Sequence, residues 1–99
     1  MKGKIKYTFV ASVWQYAGKG GWYFVTLPKD QSAEIREHLG WQEEGWGRLK
    51  VTARINHLTW DTAIWFDTKQ QSYLLPLKSD IRQKLGLSIG TEVEVVVGV

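Results

Sequence analysis

Arg48, Lys50 and Arg54 stand an even number of residues apart in an alternating segment, on the face opposite Leu49, Val51 and Ala53. A stripe of fixed positive charge along one strand face suits the phosphates of a nucleic-acid backbone. Arg36 and Arg82 sit at matching places in two helical segments, with Lys78 and Lys84 flanking the second. The planar, bidentate fork of arginine fits phosphate oxygens. Each arginine could equally brace its helix by pairing with a neighbouring carboxylate such as Glu37 or Asp80. Against a symmetric DNA reader, Glu92 and Glu94 stand in the last strand where Arg48 and Lys50 stand in its counterpart. The two strands could then pair in charge instead.

Six tryptophans in 99 residues are the second resource. Exposed rings stack on bases or sugars, and an aromatic pocket at the mouth of a barrel would take a small ligand. Trp22, Trp60 and Trp65 are the candidates for such a pocket. Trp14 and Trp22 fall opposite the clearest core residues of their strands, and Trp41 and Trp46 lie in an expected loop. Trp60 and Trp65 are an odd number of residues apart, so a regular strand points them to opposite faces. Filling the core is the expected role of most of the six.

Catalysis needs a constellation, and the pattern supplies none. His38 and His57 have no metal-ligand spacing with each other or with carboxylates. Asp61 and Asp67 share a strand face but lie roughly 20 Å apart, too far for paired acid–base work. Glu43 and Glu44 read as a solvated loop pair. The serines at 12, 32, 72, 79 and 88 lack an evident base, and Ser32 and Ser79 read better as helix caps. Gly18-x-Gly20-Gly21 precedes a strand, not the helix a phosphate loop requires. Cysteine is absent, which removes disulfides, thiolate metal sites and a cysteine nucleophile. No catalytic residue, metal or cofactor is expected, and the chain reads as non-enzymatic.

The elements that position these residues come twice. Ile35-Arg36-Glu37-His38-Leu39-Gly40 returns as Ile81-Arg82-Gln83-Lys84-Leu85-Gly86 at a constant offset of 46 residues. Each copy follows an aromatic-rich strand ending in Leu-Pro (23–28, then 73–76), and each precedes an alternating strand (48–55, then 92–97). Before the first set, Ile5, Tyr7, Phe9, Ala11 and Val13 alternate with polar residues from Lys4, a half-buried strand. A glycine-rich turn at 17–21 follows it. Residues 22–27 are apolar on both faces, as in a strand inside a barrel or beneath a helix. Strands are also expected at 60–67 and 72–77, around a polar turn. Short helices start near Ser32 and Ser79, bury Ile35, Leu39, Ile81 and Leu85, and stop at Gly40 and Gly86.

The stretch Leu75-Pro-Leu-Lys-Ser-Asp-Ile-Arg-Gln-Lys-Leu-Gly, running on to Gly-Thr-Glu-Val-Glu-Val, resembles the swapped-hairpin barrel of AbrB and MazE-type DNA-binding proteins. Those use one such unit per chain and complete the barrel by dimerising, so two units here imply that one polypeptide builds both halves. From about Lys4 to Val97 the chain is similar to the domain of unknown function family 1905. Gly21-Trp22-Tyr23-Phe24-Val25-Thr26-Leu27-Pro28, Trp46-Gly47-Arg48-Leu49-Lys50-Val51 and the closing Leu-Gly-x-x-x-Gly-x-x-Val region carry that likeness. The resemblance implies a double-split β-barrel and no activity.

The expectation is therefore one mainly β domain over 1–99, a small closed or double-split β-barrel with two short helices. Its half-repeats, about 4–55 and 56–99, are related by a pseudo-two-fold. Residues 1–55 carry nine Lys/Arg against five Asp/Glu, residues 56–99 four against five. That bias favours an anionic partner for the first half, unless it serves only solubility. No apolar run approaches the ~20 residues that span a bilayer, and no signal peptide is visible, so a cytoplasmic monomer or homodimer is expected. Its function reads as binding or interaction with an unnamed ligand. A nucleic-acid regulator is the alternative, and a small-molecule site at a barrel mouth a weaker one.

Overall fold

The computed structural model describes residues 5–18, 20–45 and 47–99. Lys4 at the head of the first expected strand, Lys19 in the glycine turn and Trp46 in the loop lie outside the described residues. Strand β1 runs over Lys6–Ser12, β2 over Trp14–Gln15 and β3 over Tyr23–Thr26. Helix α1 spans Lys29–Leu39 and runs into a 3₁₀ turn at Gly40–Gln42. Strands β4 (Arg48–Ile55), β5 (Leu58–Asp67) and β6 (Ser72–Pro76) follow, then α2 (Ser79–Leu85) and β7 (Glu92–Gly98).

All seven strands form one antiparallel sheet in the order β1-β7-β4-β5-β6-β3-β2. Its first and last strands are successive pieces of one segment broken at Val13. There the Val13 N–H donates to Thr91 O at 2.9 Å and Val13 O accepts from the Gly90 N–H at 2.8 Å. The sheet thus curls into a half-barrel and leaves few open edges. The expected mainly β, barrel-like architecture with two helices is what forms. The half-repeats interleave: β3 pairs with β6 (Val25 opposite Leu75) and β4 with β7 (Ala53 opposite Val97). Inside lie Val25, Ile64, Leu75 and Val95 from the strands, with Ile35 and Ile81 from the helices.

The helix starts differ from expectation. Neither Ser32 nor Ser79 is a cap; Pro28 and Lys78 hold the N-cap positions, with no side-chain cap bond. Ser32 lies a turn inside α1, fully buried, and its hydroxyl accepts a 3.0 Å bond from the Tyr73 N–H. Tying helix to sheet satisfies a buried donor, whereas a cap at the surface competes only with water. The two N-caps are 50 residues apart while Ile35 and Ile81 are 46 apart. Accordingly α1 has eleven residues and α2 seven, one extra first turn. Buried Leu27 therefore answers Leu77, and the Leu-Pro match with Leu75-Pro76 is two residues out of step. Gly86 stops α2 in the left-handed conformation (φ 65°), but Gly40 is helical (φ −57°) and leads on into the 3₁₀ turn. Leu39 and Leu85 are only half-buried; the isoleucines reach the core.

Candidate ligand-binding groove

Strand register decides which side chains gather outside the sheet. Directly opposed residues share a face, so the pairs Arg48–Trp65, Trp65–Leu74 and Leu74–Thr26 run as one row across β4, β5, β6 and β3. Pro76, Phe24 and Trp14 form the next row on that face. One residue along each strand, Leu49, Ile64, Leu75 and Val25 point inward and are buried. Strand β3 is apolar on both faces because its outer face floors a groove, not because it lies inside a barrel.

That groove has a volume of about 740 Å³ and is lined by Trp14, Trp22, Phe24, Leu74 and Trp65, together with Tyr16, Asp67, Lys69 and Gln70. Phe24 is the middle of three adjacent rings: its centroid is 5.2 Å from Trp14, tilted by 37°, and 6.4 Å from Trp22, nearly parallel at 14°. The Trp14 indole N–H donates to Thr26 Oγ1 at 2.8 Å, fixing that ring on the floor. Gly20 lies against the Trp22 ring. It holds φ 95°, and a Cβ there would stand 2.9 Å from Trp22 Nε1, so only glycine lets the chain close against that ring. The β5–β6 turn is set by Asp67 Oδ1, which accepts from the Lys69 N–H at 2.9 Å.

Trp22 and Trp65, 54% and 41% exposed, also line a second concavity of about 430 Å³ with Arg48, Lys50, Asp61 and Lys78. They form the ridge between an apolar groove and a cationic cleft. Ala63, on the outer face yet buried, is the small residue that makes the cleft. Glu44 pairs with Arg48 at 3.0 Å and with Lys50 at 3.7 Å. The charge partner of that strand is thus a loop glutamate; Glu92 and Glu94 lie opposite Ser12 and Val10 instead. Among the described residues no carboxylate comes within ion-pair distance of Lys78.

The profile of a domain of unknown function, DUF1905, matches residues 9–97, a span that contains the whole groove and cleft. The chain belongs to the DUF1905 family. No curated protein matches its sequence.

In this DUF1905 domain the remaining sequence candidates are dispersed. The Arg36 guanidinium lies 3.8 Å from the Phe66 ring centroid and 3.8 Å from a Glu43 oxygen. Arg82 lies 3.7 Å over the Tyr23 ring while its Nε–H donates to Leu77 O at 3.1 Å. Both arginines brace their helices, against rings and not through Glu37 or Asp80. Arg54 turns its Nε–H to Asn56 O at 3.0 Å, and Lys84 is exposed on α2, away from the cleft. Trp60 faces the core side, half-buried, and lines neither concavity. No described tryptophan is fully buried, which overturns the core-filling expectation. Valine, leucine and isoleucine fill most of the core, with Phe9 and Tyr73 as its buried rings and Trp60 packed against its edge. Trp41 stands 81% exposed, its indole N–H donating to His38 O at 3.1 Å.

A second cluster joins Glu43, Tyr73, Arg36 and Phe66. The Tyr73 hydroxyl donates to Glu43, so Glu43 is not a free loop carboxylate, and the Tyr73 ring meets Phe66 edge-on at 5.1 Å. Burial, then the Glu43 hydrogen bond and charge, hold that phenol far above the usual tyrosine range, with Arg36 opposing weakly. It remains a protonated donor that ties the loop to β6. Among the described residues no group of three or more His, Cys, Asp or Glu side chains is placed to hold a metal ion. Nor is any described helix long and apolar enough to cross a membrane.

The signal is phase, legible in the sequence for Trp14 and Trp22 and missed for the rest. Trp14, Phe24, Trp65 and Leu74 are apolar residues out of step with the buried positions of their strands, and together they line the groove.

Proposed function

We propose that this protein is a non-enzymatic binding module whose outer-face groove holds a flat, apolar small molecule. The supporting observation is the run of three adjacent rings, Trp14, Phe24 and Trp22, lining a concavity of about 740 Å³. Small-molecule sites are typically concave, mostly apolar and roughly 300–1,000 Å³, and monomers rarely leave so many contiguous aromatics uncovered without a use. The site lies on the sheet's outer face, not at a barrel mouth.

The test is a titration with the neutral dye N-phenyl-1-naphthylamine, followed by tryptophan quenching and dye emission. Saturable binding is expected, weakened about tenfold or more in Trp22→Ala and in Trp65→Ala, since stacking on one ring contributes ~1–3 kcal/mol. Absence of saturation, or binding by both variants as tight as that of the unaltered chain, would sink the proposal. The nucleic-acid alternative rests on Arg48, Lys50 and Lys78 sharing a cleft with Trp22 and Trp65. Glu44 and Asp61 oppose it there. Oligothymidylate that displaces the dye with strong salt dependence would favour that alternative.

A further inference from the structure

We infer that the groove's ligand is an anion: a flat apolar molecule whose rings lie along Trp14, Phe24 and Trp65 and whose single acidic group reaches past the Trp22–Trp65 ridge to Lys78. This rests on the groove being a small-molecule site. Two concavities of unlike chemistry share two residues. The apolar one, about 740 Å³, has one cation in its lining, Lys69, offset by one carboxylate, Asp67. The other, about 430 Å³, gathers Arg48, Lys50 and Lys78 against one lining carboxylate, Asp61. A molecule filling the first therefore meets a cationic wall wherever it extends over the ridge. Arg48 also lies 6.0 Å from the Trp65 ring centroid, so the cation and the ring that would hold the two parts of the ligand are already adjacent.

Within the cleft the three cations are not equivalent. Glu44 already engages Arg48 and Lys50. Lys78, exposed at the N-cap of α2, has no such partner among the described residues and is placed to take the acidic group. A carboxylate, sulfonate or phosphate on a ring system answers this arrangement. A neutral or cationic ring system satisfies only the first concavity.

The test compares two dyes with the same rings, 8-anilinonaphthalene-1-sulfonate and the uncharged N-phenyl-1-naphthylamine, titrated into the intact chain. The sulfonate should bind about three- to tenfold tighter at low salt, an advantage that shrinks as ionic strength rises. Lys78→Gln should remove most of that advantage and leave the neutral dye within about twofold, which also reports that the variant is folded. Glu44→Gln, by releasing Arg48 and Lys50, should strengthen sulfonate binding and leave the neutral dye unchanged. Equal affinity for the two dyes, or an advantage that survives Lys78→Gln, would overturn the inference while the groove reading stands. Failure of both dyes to bind would overturn the groove reading and this inference with it.

Discussion

The two faces of the β3–β6–β5 segment are both largely apolar and do opposite things. Inward, Val25, Leu75 and Ile64 are fully buried. Outward and one residue along, Phe24, Leu74 and Trp65 line an open groove. The inner face uses mainly branched aliphatics, with the Tyr73 ring buried among them, packed at high density. The outer face uses flat rings, which present area to a ligand with little side-chain entropy to lose on binding. Hydrophobicity alone does not separate folding from function in such a strand; side-chain shape and register do. A one-residue slip would exchange the faces.

The largest effect that can break this comparison is a truncation on the inner face. Leu75→Ala should destabilise by about 2–5 kcal/mol, read as a lower urea midpoint, whereas Trp65→Ala should cost about 1 kcal/mol or less while abolishing most dye binding. Equal losses of stability would mean that the outer rings are structural. Next comes Ser32→Ala, which strands the buried Tyr73 N–H. It should cost about 1–3 kcal/mol, and a neutral result would remove the helix-to-sheet tie.

Smaller still is the contrast between the helix stops. Gly86→Ala forces a Cβ into left-handed backbone (φ 65°) and should cost about 1–2 kcal/mol. Gly40→Ala sits in helical backbone, meeting only Arg36 Cγ at 3.3 Å, and should stay within about 0.5 kcal/mol.

The smallest effect appears only in alkali. Tyr7 donates a 2.6 Å hydrogen bond to Glu34, and burial, then that bond and the Glu34 charge, push its hydroxyl up to about 12. The folded state then holds the proton more tightly than the unfolded chain, whose tyrosines titrate near about 10. Stability from this contact is complete below that pH and falls as the pH climbs toward about 12. Tyr7→Phe should flatten part of the decline in urea midpoint over that window. An unchanged slope would show that the hydrogen bond contributes nothing.

Much of the architecture was legible in the chain. Alternation at 48–55 located β4 to the residue, and the repeated Ile-Arg-x-x-Leu-Gly segments located both helices. What misled was chemistry with two possible uses. Ser32 reads as a cap because serine caps helices, yet its hydroxyl was taken by a strand 41 residues away. Arg36 and Arg82 read either as phosphate grips or as braces held by a neighbouring carboxylate, yet each lies over a ring from a distant segment, Phe66 and Tyr23.

Local pattern by itself determined the period of each strand, the two helices and the left-handed stop at Gly86, because backbone sterics and side-chain spacing act over a few residues. Only the tertiary structure decided which apolar face is interior. Period 2 assigns residues to opposite faces without saying which one meets the core, so a strand apolar on both sides leaves the choice to its partners. Tertiary structure likewise selected, from the seven cations considered, the three that meet at one cleft. Burial and proximity belong to pairs of strands, and the pairing of β4 with β5 and of β5 with β6 brought Arg48 beside Trp65 and Trp65 beside Leu74.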